Sequence, residues 1–328
     1  MTRPLPLALG LAVAAFVLAP PVAAQAPAKA VRVGVLRPGP DNPVFRENFD
    51  PFRQVLRENG FVEGANLTIE YRVRPGRAEE IEGLASELVR LKVDAILAVA
   101  PAGVRAAARA TTSIPIVAVD LESDPVAAGF ATGLARPGGN VTGLFLDVPE
   151  LSGKWIEVLR EAVPKLTRLA VLWDPSTGPN LLRGAEAAAR TLRMQLIALE
   201  ARGPEDFAHA FRAAAEARAG AMLILSSPVF NSARREIADL ATKHRMPALM
   251  PFAGFAEDGG LMAYGPHVGN MFRQAGGVVV KILRGARPGG IPIERPTRFE
   301  LVINLKTAKA LGLVIPQSLK VRTDRVIQ

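Results

Sequence analysis

Polar and aromatic side chains follow several short apolar runs of this 328-residue sequence, and these side chains have the chemistry to bind a small molecule. Arg37 and Asn42 come after the run that starts at Val31, and Asp124 comes after the run that ends at Asp120. We expect charged, amide and hydroxyl groups to hold polar parts of a ligand and aromatic rings to stack on a planar one. The candidate ligand-binding residues are Arg37, Asn42, Ala100, Pro101, Asp124, Thr142, Ser226, Ser227, Phe230, Asn231, Phe252 and Tyr264.

The acidic and hydroxyl candidates also have structural explanations. Asp124 stands before Pro125, a pair that predicts the capped start of a helix. Ser226 and Ser227 are residue types that also serve turns and helix caps. Thr142 suits strand packing as well as ligand contact, so the sequence leaves both interpretations open for this group.

The basic, amide and aromatic candidates have alternatives of the same kind. A loop role is the alternative for Arg37 and Asn42, and core packing is the alternative for Phe230 and Phe252. Tyr264 stands at the end of the short strand predicted at 261–264. We therefore expect Tyr264 to be the aromatic residue that contacts a ligand.

Residue types needed for common catalytic and metal sites are scarce. The chain has no Cys and 3 His, which excludes a thiol nucleophile and a Cys-based metal site. We find no nucleotide-binding glycine motif, no phosphate-binding loop, no serine-hydrolase elbow and no zinc-protease motif. Acidic residues are spread along helix faces, so no carboxylate pair indicates acid–base catalysis. We expect a binding protein with no catalytic residue, no metal site and no cofactor.

The candidates are positioned by a regular alternation of elements. Short β-rich runs, of which 31–36 is the first, alternate from residue 31 onward with amphipathic segments such as 45–59. Strands alternating with helices of about 10–15 residues predict right-handed βαβ units and parallel sheets. The rhythm restarts after a break near 146–150. The pattern therefore predicts an α/β protein with two doubly wound parallel-sheet (Rossmann-like) lobes, and strand ends that face an interlobe cleft.

Residues 1–24 have the layout of a secretory signal peptide. Arg3 is followed by an uncharged apolar run at 5–18, then by Pro20, and small residues precede a cleavage point after Ala24. The run is too short to cross a hydrocarbon core of about 30 Å comfortably. No Cys is present to carry a lipid. We expect a soluble periplasmic protein that is not lipidated.

The charge of the chain suggests a nucleic-acid partner that the pattern does not support. There are 40 Lys and Arg against 31 Asp and Glu, a formal net charge of +9. The basic residues are scattered and form no cluster interleaved with aromatic residues, as a nucleic-acid groove requires. We therefore expect no nucleic-acid partner and retain only some attraction to an anionic ligand or membrane surface.

Five stretches of the sequence are similar to one known family. They are 60–71 (GFVEG, then NLTIEY after Ala65), 124–129 (DPVAAG), 134–143 (LARPGGNVTG), 259–265 (GGLMAYG) and 299–312 (FELVINLKTAKALG). Together they resemble the ABC-transporter substrate-binding proteins whose characterised relatives bind tryptophan or tyrosine. The resemblance covers nearly all of 31–328.

The resemblance implies a type I periplasmic-binding-protein fold, in which two lobes are joined by three crossovers. By that analogy lobe 1 is 31–147 with 267–297, and lobe 2 is 148–266 with 298–328. It implies a monomer that captures an amino acid, aromatic or otherwise, or a small organic acid by lobe closure. Its partner would be an ABC permease in the inner membrane. The alternatives are a periplasmic ligand sensor for a signalling partner and, less favoured, an exported enzyme.

One position departs from the family pattern. Relatives tend to carry a hydroxyl residue before the proline that follows the third strand, where it can hold a ligand polar group. This chain has Ala100 before Pro101, so that hydroxyl is missing. Asp124 matches the family's Asp-Pro pair, and the resemblance implies that its carboxylate can meet a ligand ammonium group.

Overall fold

The computed structural model describes residues 30–39, 41–74, 78–146 and 148–328. The signal peptide expected at 1–24 lies outside these ranges. Within them, no helix combines the length and the apolar character needed to cross a membrane.

The strands of the described residues form two sheets. In chain order they are β1 (Val31–Pro38), β2 (Leu67–Arg74), β3 (Ala95–Val99), β4 (Ile116–Asp120), β5 (Val141–Phe145), β6 (Arg168–Trp173), β7 (Gln195–Glu200), β8 (Ala221–Ile224), β9 (Ala248–Met250), β10 (Met262–Pro266), β11 (Phe299–Asn304) and β12 (Arg325–Ile327). The first sheet has the order β2-β1-β3-β4-β5, and all its pairs are parallel. The second has the order β12-β11-β10-β9-β8-β6-β7, and only its β10–β11 pair is antiparallel.

Helices cover both faces of each sheet. They are α1 (Pro43–Glu58), α2 (Ala78–Arg90), α3 (Ala100–Ala110), α4 (Val148–Ala162), α5 (Asn180–Thr191), α6 (Pro204–Glu216), α7 (Pro228–Ser232), α8 (Arg234–Lys243), α9 (Gly254–Glu257), α10 (Val268–Leu283), α11 (Leu305–Ala310) and α12 (Gln317–Arg322). Each sheet separates two hydrophobic clusters, one on each face. We call the first sheet with its helices lobe 1 and the second lobe 2.

Aromatic packing joins α1 to α10 on one face of lobe 1. Apolar residues at helical spacing place Phe45, Phe49 and Phe52 on the buried side of α1. The ring of Phe49 lies 4.8 Å from that of Phe52 and 5.5 Å from that of Phe272 on α10. Full burial of such a side chain stabilises a fold by about 1.5–3 kcal/mol. This cluster fixes α10 to lobe 1, although α10 follows a strand of lobe 2.

The chain passes between the two sheets three times, after β5, after β10 and before β11. The segment that follows α10 pairs with β5 of lobe 1. The amide of Glu294 donates to the carbonyl of Gly143 at 2.8 Å, and the amide of Phe145 donates to the carbonyl of Glu294 at 3.1 Å. Each lobe is therefore completed by distant parts of the chain. The predicted fold class, two doubly wound α/β lobes, is confirmed.

The helix predicted to start at Asp124 is wrong, because residues 125–129 form turns. The Asp124 carboxylate does accept hydrogen bonds from the amides of Val126 (2.9 Å) and Ala127 (3.0 Å), as a cap would. The chain leaves the helical path at Gly129, whose φ of +76° is typical of a residue that terminates a helix. The capping chemistry is present, but only one turn follows it.

Gly143 and Gly83 offer a matched test of backbone packing. Gly143 has a φ of +129°, and a Cβ there would overlap the carbonyl oxygen of Ala118 on β4. We expect Gly143→Ala to lower the free energy of unfolding by about 2–4 kcal/mol. Gly83 lies exposed inside α2 with open space around it, so Gly83→Ala should raise it by about 0.5–1 kcal/mol. Urea unfolding followed by circular dichroism measures both, and equal effects would contradict the packing described for β5.

Candidate ligand-binding site

Loops at the carboxyl ends of the two sheets meet at a buried carboxyl group. Glu122 follows β4 of lobe 1, and its side chain is only 5% exposed. Its Oε1 accepts a hydrogen bond of 2.5 Å from the hydroxyl of Ser226, which follows β8 of lobe 2. This bond links the lobes directly through side chains, so the candidate site lies where these loops meet.

Two further hydrogen bonds cross between the lobes near the same point. The side-chain amide of Asn180, at the start of α5, donates to the carbonyl oxygen of Glu122 at 3.2 Å. The guanidinium of Arg105 on α3 donates to the carbonyl oxygen of Ser176 at 3.4 Å. The lobes are thus in contact through polar groups, which hydrate easily when the lobes separate.

The loop that carries Glu122 is folded around a second buried carboxyl group. Asp120 ends β4 and is fully buried. Its Oδ1 accepts from the amides of Glu122 (3.1 Å) and Ser123 (2.9 Å), while Oε2 of Glu122 accepts from the amide of Leu121 (3.2 Å). Among the described residues, no hydrogen-bond partner reaches Oδ2 of Asp120. One acceptor of this pair is therefore open.

Burial and mutual repulsion shift the acidity of this pair. Burial, as the larger cause, and the nearby Asp120 charge together raise the pKa of Glu122 to about 7, against the opposing hydrogen bonds from Ser226 and Leu121. Burial also raises the pKa of Asp120, opposed by hydrogen bonds from Ser123 and Glu122 and by the positive charge of Arg105. Two buried carboxyl groups this close cannot both ionise cheaply. The pair therefore retains a proton up to about neutral pH.

A second pair holds the lobe 2 loops in place. Asp174 follows β6, and its Oδ2 accepts from the hydroxyl of Ser227 at 2.6 Å. Its Oδ1 accepts from the amide of Ser176 at 2.8 Å. Ser227 also caps α7 by accepting from the amide of Val229 at 3.1 Å. Because these contacts fix Ser227, they orient Ser226 beside it toward Glu122.

Several residues predicted for the site lie at this boundary. Ser226 and Ser227 are buried there. Asn231 lies on α7, and its backbone N–H donates to the carbonyl oxygen of Ser227 at 2.9 Å. Phe252 follows β9 of lobe 2, yet its half-buried ring packs against the lobe 1 cluster that contains the α1 phenylalanines. Phe252 is therefore an apolar bridge between the lobes.

Ala100 and Pro101 begin α3 at the carboxyl end of β3. Ala100 has a φ of +62°, a conformation that is unfavourable for a residue with a Cβ. Pro101 is buried in the first turn of the helix, where its missing N–H costs nothing. Backbone strain of this kind is common at functional sites.

Other predicted residues have packing or capping partners within one lobe. Asn42 caps α1 by accepting from the amide of Phe45 at 2.8 Å. The hydroxyl of buried Thr142 donates to the carbonyl of Ile291 at 2.9 Å. Phe230 is fully buried in lobe 2, edge-on to a second phenylalanine ring at 5.6 Å. Asp124 caps an exposed turn, so for these four residues the structural explanation holds and ligand contact stays a prediction.

Arg37 and Tyr264 are both engaged by neighbouring aromatic rings. The guanidinium of Arg37 lies 4.5 Å from the ring centre of Phe45. Tyr264 stacks on Phe299 at 6.2 Å, and its carbonyl oxygen accepts from the indole N–H of Trp155 at 2.7 Å. These contacts place Tyr264 in lobe 2 beside the return of the chain into β11. They do not bring it to the bond between the lobes, and its ligand contact also stays a prediction.

Sequence reasoning missed the groups that carry most of the charge of the site. Asp120, Glu122 and Asp174 stand at strand ends, the same signal that selected Ser226. Asp124 was preferred because it matched the Asp-Pro pair of the family. Which carboxylate of a short loop turns inward depends on its backbone path, which the residue types do not specify.

Other features of the described residues lie outside this boundary. No group of three or more His, Cys, Asp or Glu in these ranges is placed to hold a metal ion. Two surface cavities of about 480 and 530 Å³ lie on lobe 1; one is lined by Arg53 and Arg57, the other by Val31 and Ile282. Neither includes the loops that join the lobes.

The sequence and the fold agree with one family. Residues 40–327 match the family described as ABC transporter substrate binding protein. The chain belongs to this family. The resemblance inferred from the five sequence stretches is therefore confirmed.

Individual proteins are also similar to this chain in sequence and in fold. The tyrosine-binding protein of Clostridioides difficile is 25% identical over 267 residues, which cover 80% of this chain and 75% of the relative. A conserved domain protein from Vibrio cholerae superposes with a TM-score of 0.84 at 25% identity, covering 91% of this chain and all of that one. An ABC domain from Streptococcus pneumoniae in complex with L-Trp has a TM-score of 0.83 at 20% identity, with the same coverage.

Contact between the lobes should depend on pH through Glu122. Its pKa is about 7 where it is buried, and separation of the lobes returns it toward its ordinary value of 4.5. The protonated form therefore favours contact, and this stabilisation is lost as the pH rises through about 7. We expect the radius of gyration from solution X-ray scattering to increase between pH 5 and pH 8.5 without ligand.

Glu122→Gln provides the control for this prediction, because glutamine is neutral at every pH in that range. Its radius of gyration should stay near the low-pH value of the wild type. A pH response of equal size in both proteins would show that another group controls contact between the lobes.

Proposed function

We propose that this protein is the soluble periplasmic receptor of an ABC importer and captures a small molecule between its lobes. The observation that carries the proposal is the buried hydrogen bond between Glu122 of lobe 1 and Ser226 of lobe 2. A molecule held at this boundary contacts both lobes at once. It therefore binds the closed arrangement more tightly than the open one and shifts the protein toward closure.

An amino acid, aromatic or otherwise, or a small organic acid is the ligand class that we propose. The relatives include a tyrosine-binding protein and an ABC domain in complex with L-Trp. Phe252 offers a half-buried ring at the boundary, and Ser226 offers a hydroxyl. An apolar surface with a few convergent polar groups is typical of a small-molecule site.

The remaining parts of the proposal concern location and partners. Export to the periplasm rests on the signal-peptide pattern at 1–24. Membership of the substrate-binding family supports an ABC permease as partner. We propose that the receptor acts as a monomer and carries out no catalysis.

The ligand is best identified from protein purified without denaturation. Mass spectrometry of the released small molecules should find a bound amino acid or organic acid. A thermal-shift screen of the same two classes should raise the melting temperature for at least one compound, since ligand at 100 times its Kd stabilises a protein by about 2.7 kcal/mol. Folded protein with no released molecule and no shift would refute the proposal.

Ser226 and Ser232 provide a matched pair for testing the boundary. Ser226→Ala removes the hydroxyl that reaches Glu122 and leaves a buried acceptor without its donor. We expect it to weaken binding of the identified ligand about tenfold, which corresponds to about 1.4 kcal/mol. Ser232 is exposed and its hydroxyl donates to the carbonyl of Pro228 within α7, so Ser232→Ala should leave affinity unchanged. Calorimetry that gives both variants wild-type affinity would place the ligand elsewhere.

A further inference from the structure

The buried pair Asp120 and Glu122 has acceptor capacity that the protein leaves open. Both side chains are at least nine-tenths buried, and Oδ2 of Asp120 has no hydrogen-bond partner among the described residues. The hydrogen-bond donors that reach the two carboxyl groups are the amides of Leu121, Glu122 and Ser123 and the hydroxyls of Ser123 and Ser226. All of these donors are neutral. Arg105 acts on Asp120 only through its charge and does not hydrogen-bond to either carboxyl group. Buried carboxylates without a cation in direct contact are costly, and a binding site can retain them for a ligand.

We infer that Asp120 and Glu122 form the subsite for a cationic nitrogen of the ligand, with a primary ammonium group as the best fit. This inference rests on the proposed function and narrows its ligand class. An ammonium group has three N–H donors. Oδ2 of Asp120 is an open acceptor, and the Glu122 carboxylate and the Ser226 hydroxyl keep further lone pairs. Hydrogen bonds join Asp120 to the amide of Glu122 and Glu122 to Ser226, so the three acceptors belong to one cluster.

The subsite is complete only when the lobes meet. Asp120 and Glu122 belong to the loop after β4 of lobe 1, whereas Ser226 follows β8 of lobe 2. We expect separation of the lobes to admit water to the carboxylates, and attraction between charges is weak in water. Closure removes that water and strengthens attraction to the cation. The ammonium group therefore favours the closed arrangement and contributes directly to closure.

The charges around the pair make the cation preference specific. Arg105 on α3 is the positive group that acts on Asp120, and its guanidinium donates to the carbonyl of Ser176. Asp174, from the loop after β6, uses its carboxylate on Ser227 and Ser176. An anionic ligand group placed beside Asp120 and Glu122 would meet like charge in a buried setting. A desamino acid should therefore be rejected at this point.

Arrival of a cation should release a proton. Where the lobes are in contact without ligand, burial and the Asp120 charge keep Glu122 protonated up to about pH 7. An ammonium group stabilises the carboxylate form, so the Glu122 proton passes to the buffer as the ion pair forms. Binding should release up to one proton at pH 6.5 and fewer at higher pH, where Glu122 is already ionised.

Matched compounds test the subsite by isothermal titration calorimetry. The panel contains the common amino acids, tryptamine, tyramine and butylamine, with the desamino acids 3-(indol-3-yl)propionate and 3-(4-hydroxyphenyl)propionate. We expect every compound that binds to carry a cationic nitrogen, and the desamino acid of a binding amino acid to bind at least 100-fold more weakly. Titrations at pH 6.5 in buffers of different ionisation enthalpy should show the released proton.

Variants separate the subsite from general effects on folding. Glu122→Gln and Asp120→Asn should each weaken binding of the amine at least 30-fold, and Glu122→Gln should abolish proton release. Glu236→Gln changes an exposed carboxylate on α8 and should alter neither quantity. Circular dichroism checks that each variant is folded. If only one of the two carboxyl variants folds, that variant alone tests the subsite.

The outcomes distinguish this inference from the proposed function. The cation subsite would be overturned if a desamino acid bound as tightly as its parent amino acid. Wild-type affinity in folded Glu122→Gln and Asp120→Asn would also overturn it. Either result would leave the protein a small-molecule receptor. Binding by none of the compounds would overturn the subsite, and also the amino-acid form of the proposed function. Amine-specific binding that depends on both carboxyl groups and releases a proton would establish the subsite.

Discussion

The cost of burying a carboxyl group between two lobes is the constraint on which this structure depends. Each lobe has its own apolar core on both faces of its sheet, so neither needs the other to bury most of its hydrophobic surface. What joins them is mainly polar, with Glu122 at the centre. A buried carboxyl group must be neutral, hydrogen-bonded or paired with a cation. The free energy of closure therefore depends on what Glu122 meets, whether a proton, a hydroxyl or a ligand charge.

The rest of the fold keeps the groups at this boundary in position. Parallel sheets bring the loops after β4, β6 and β8 to the carboxyl ends of their strands. In lobe 2, the Asp174–Ser227 hydrogen bond ties two of these loops together, and the indole of Trp155 holds the backbone of β10. In lobe 1, the aromatic cluster anchors α10 after the chain has crossed over. In the closure that we propose, two preorganised surfaces would move and the loops would not need to reorder.

Much of the fold followed from the order of residues along the chain. Apolar runs and amphipathic segments predicted the alternating elements, and the break near 146–150 predicted that they form two lobes. The prediction was wrong at 125–129, where Gly129 ends the capped segment after one turn. It also omitted the short elements α11, α12 and β12, because segments of three to six residues contain too little periodicity to be recognised.

For the site, the order of residues shows which residue types stand at the strand ends. That was enough to select Ser226 and Phe252, which lie at the boundary, together with Asn42 and Thr142, which serve their own lobes. Tertiary packing alone turns Glu122 inward, brings it to a hydroxyl 104 positions away and buries it together with Asp120. Burial and charge interactions arise between segments that are distant in sequence, so residue order specifies the available chemistry, and three-dimensional packing decides which groups act together.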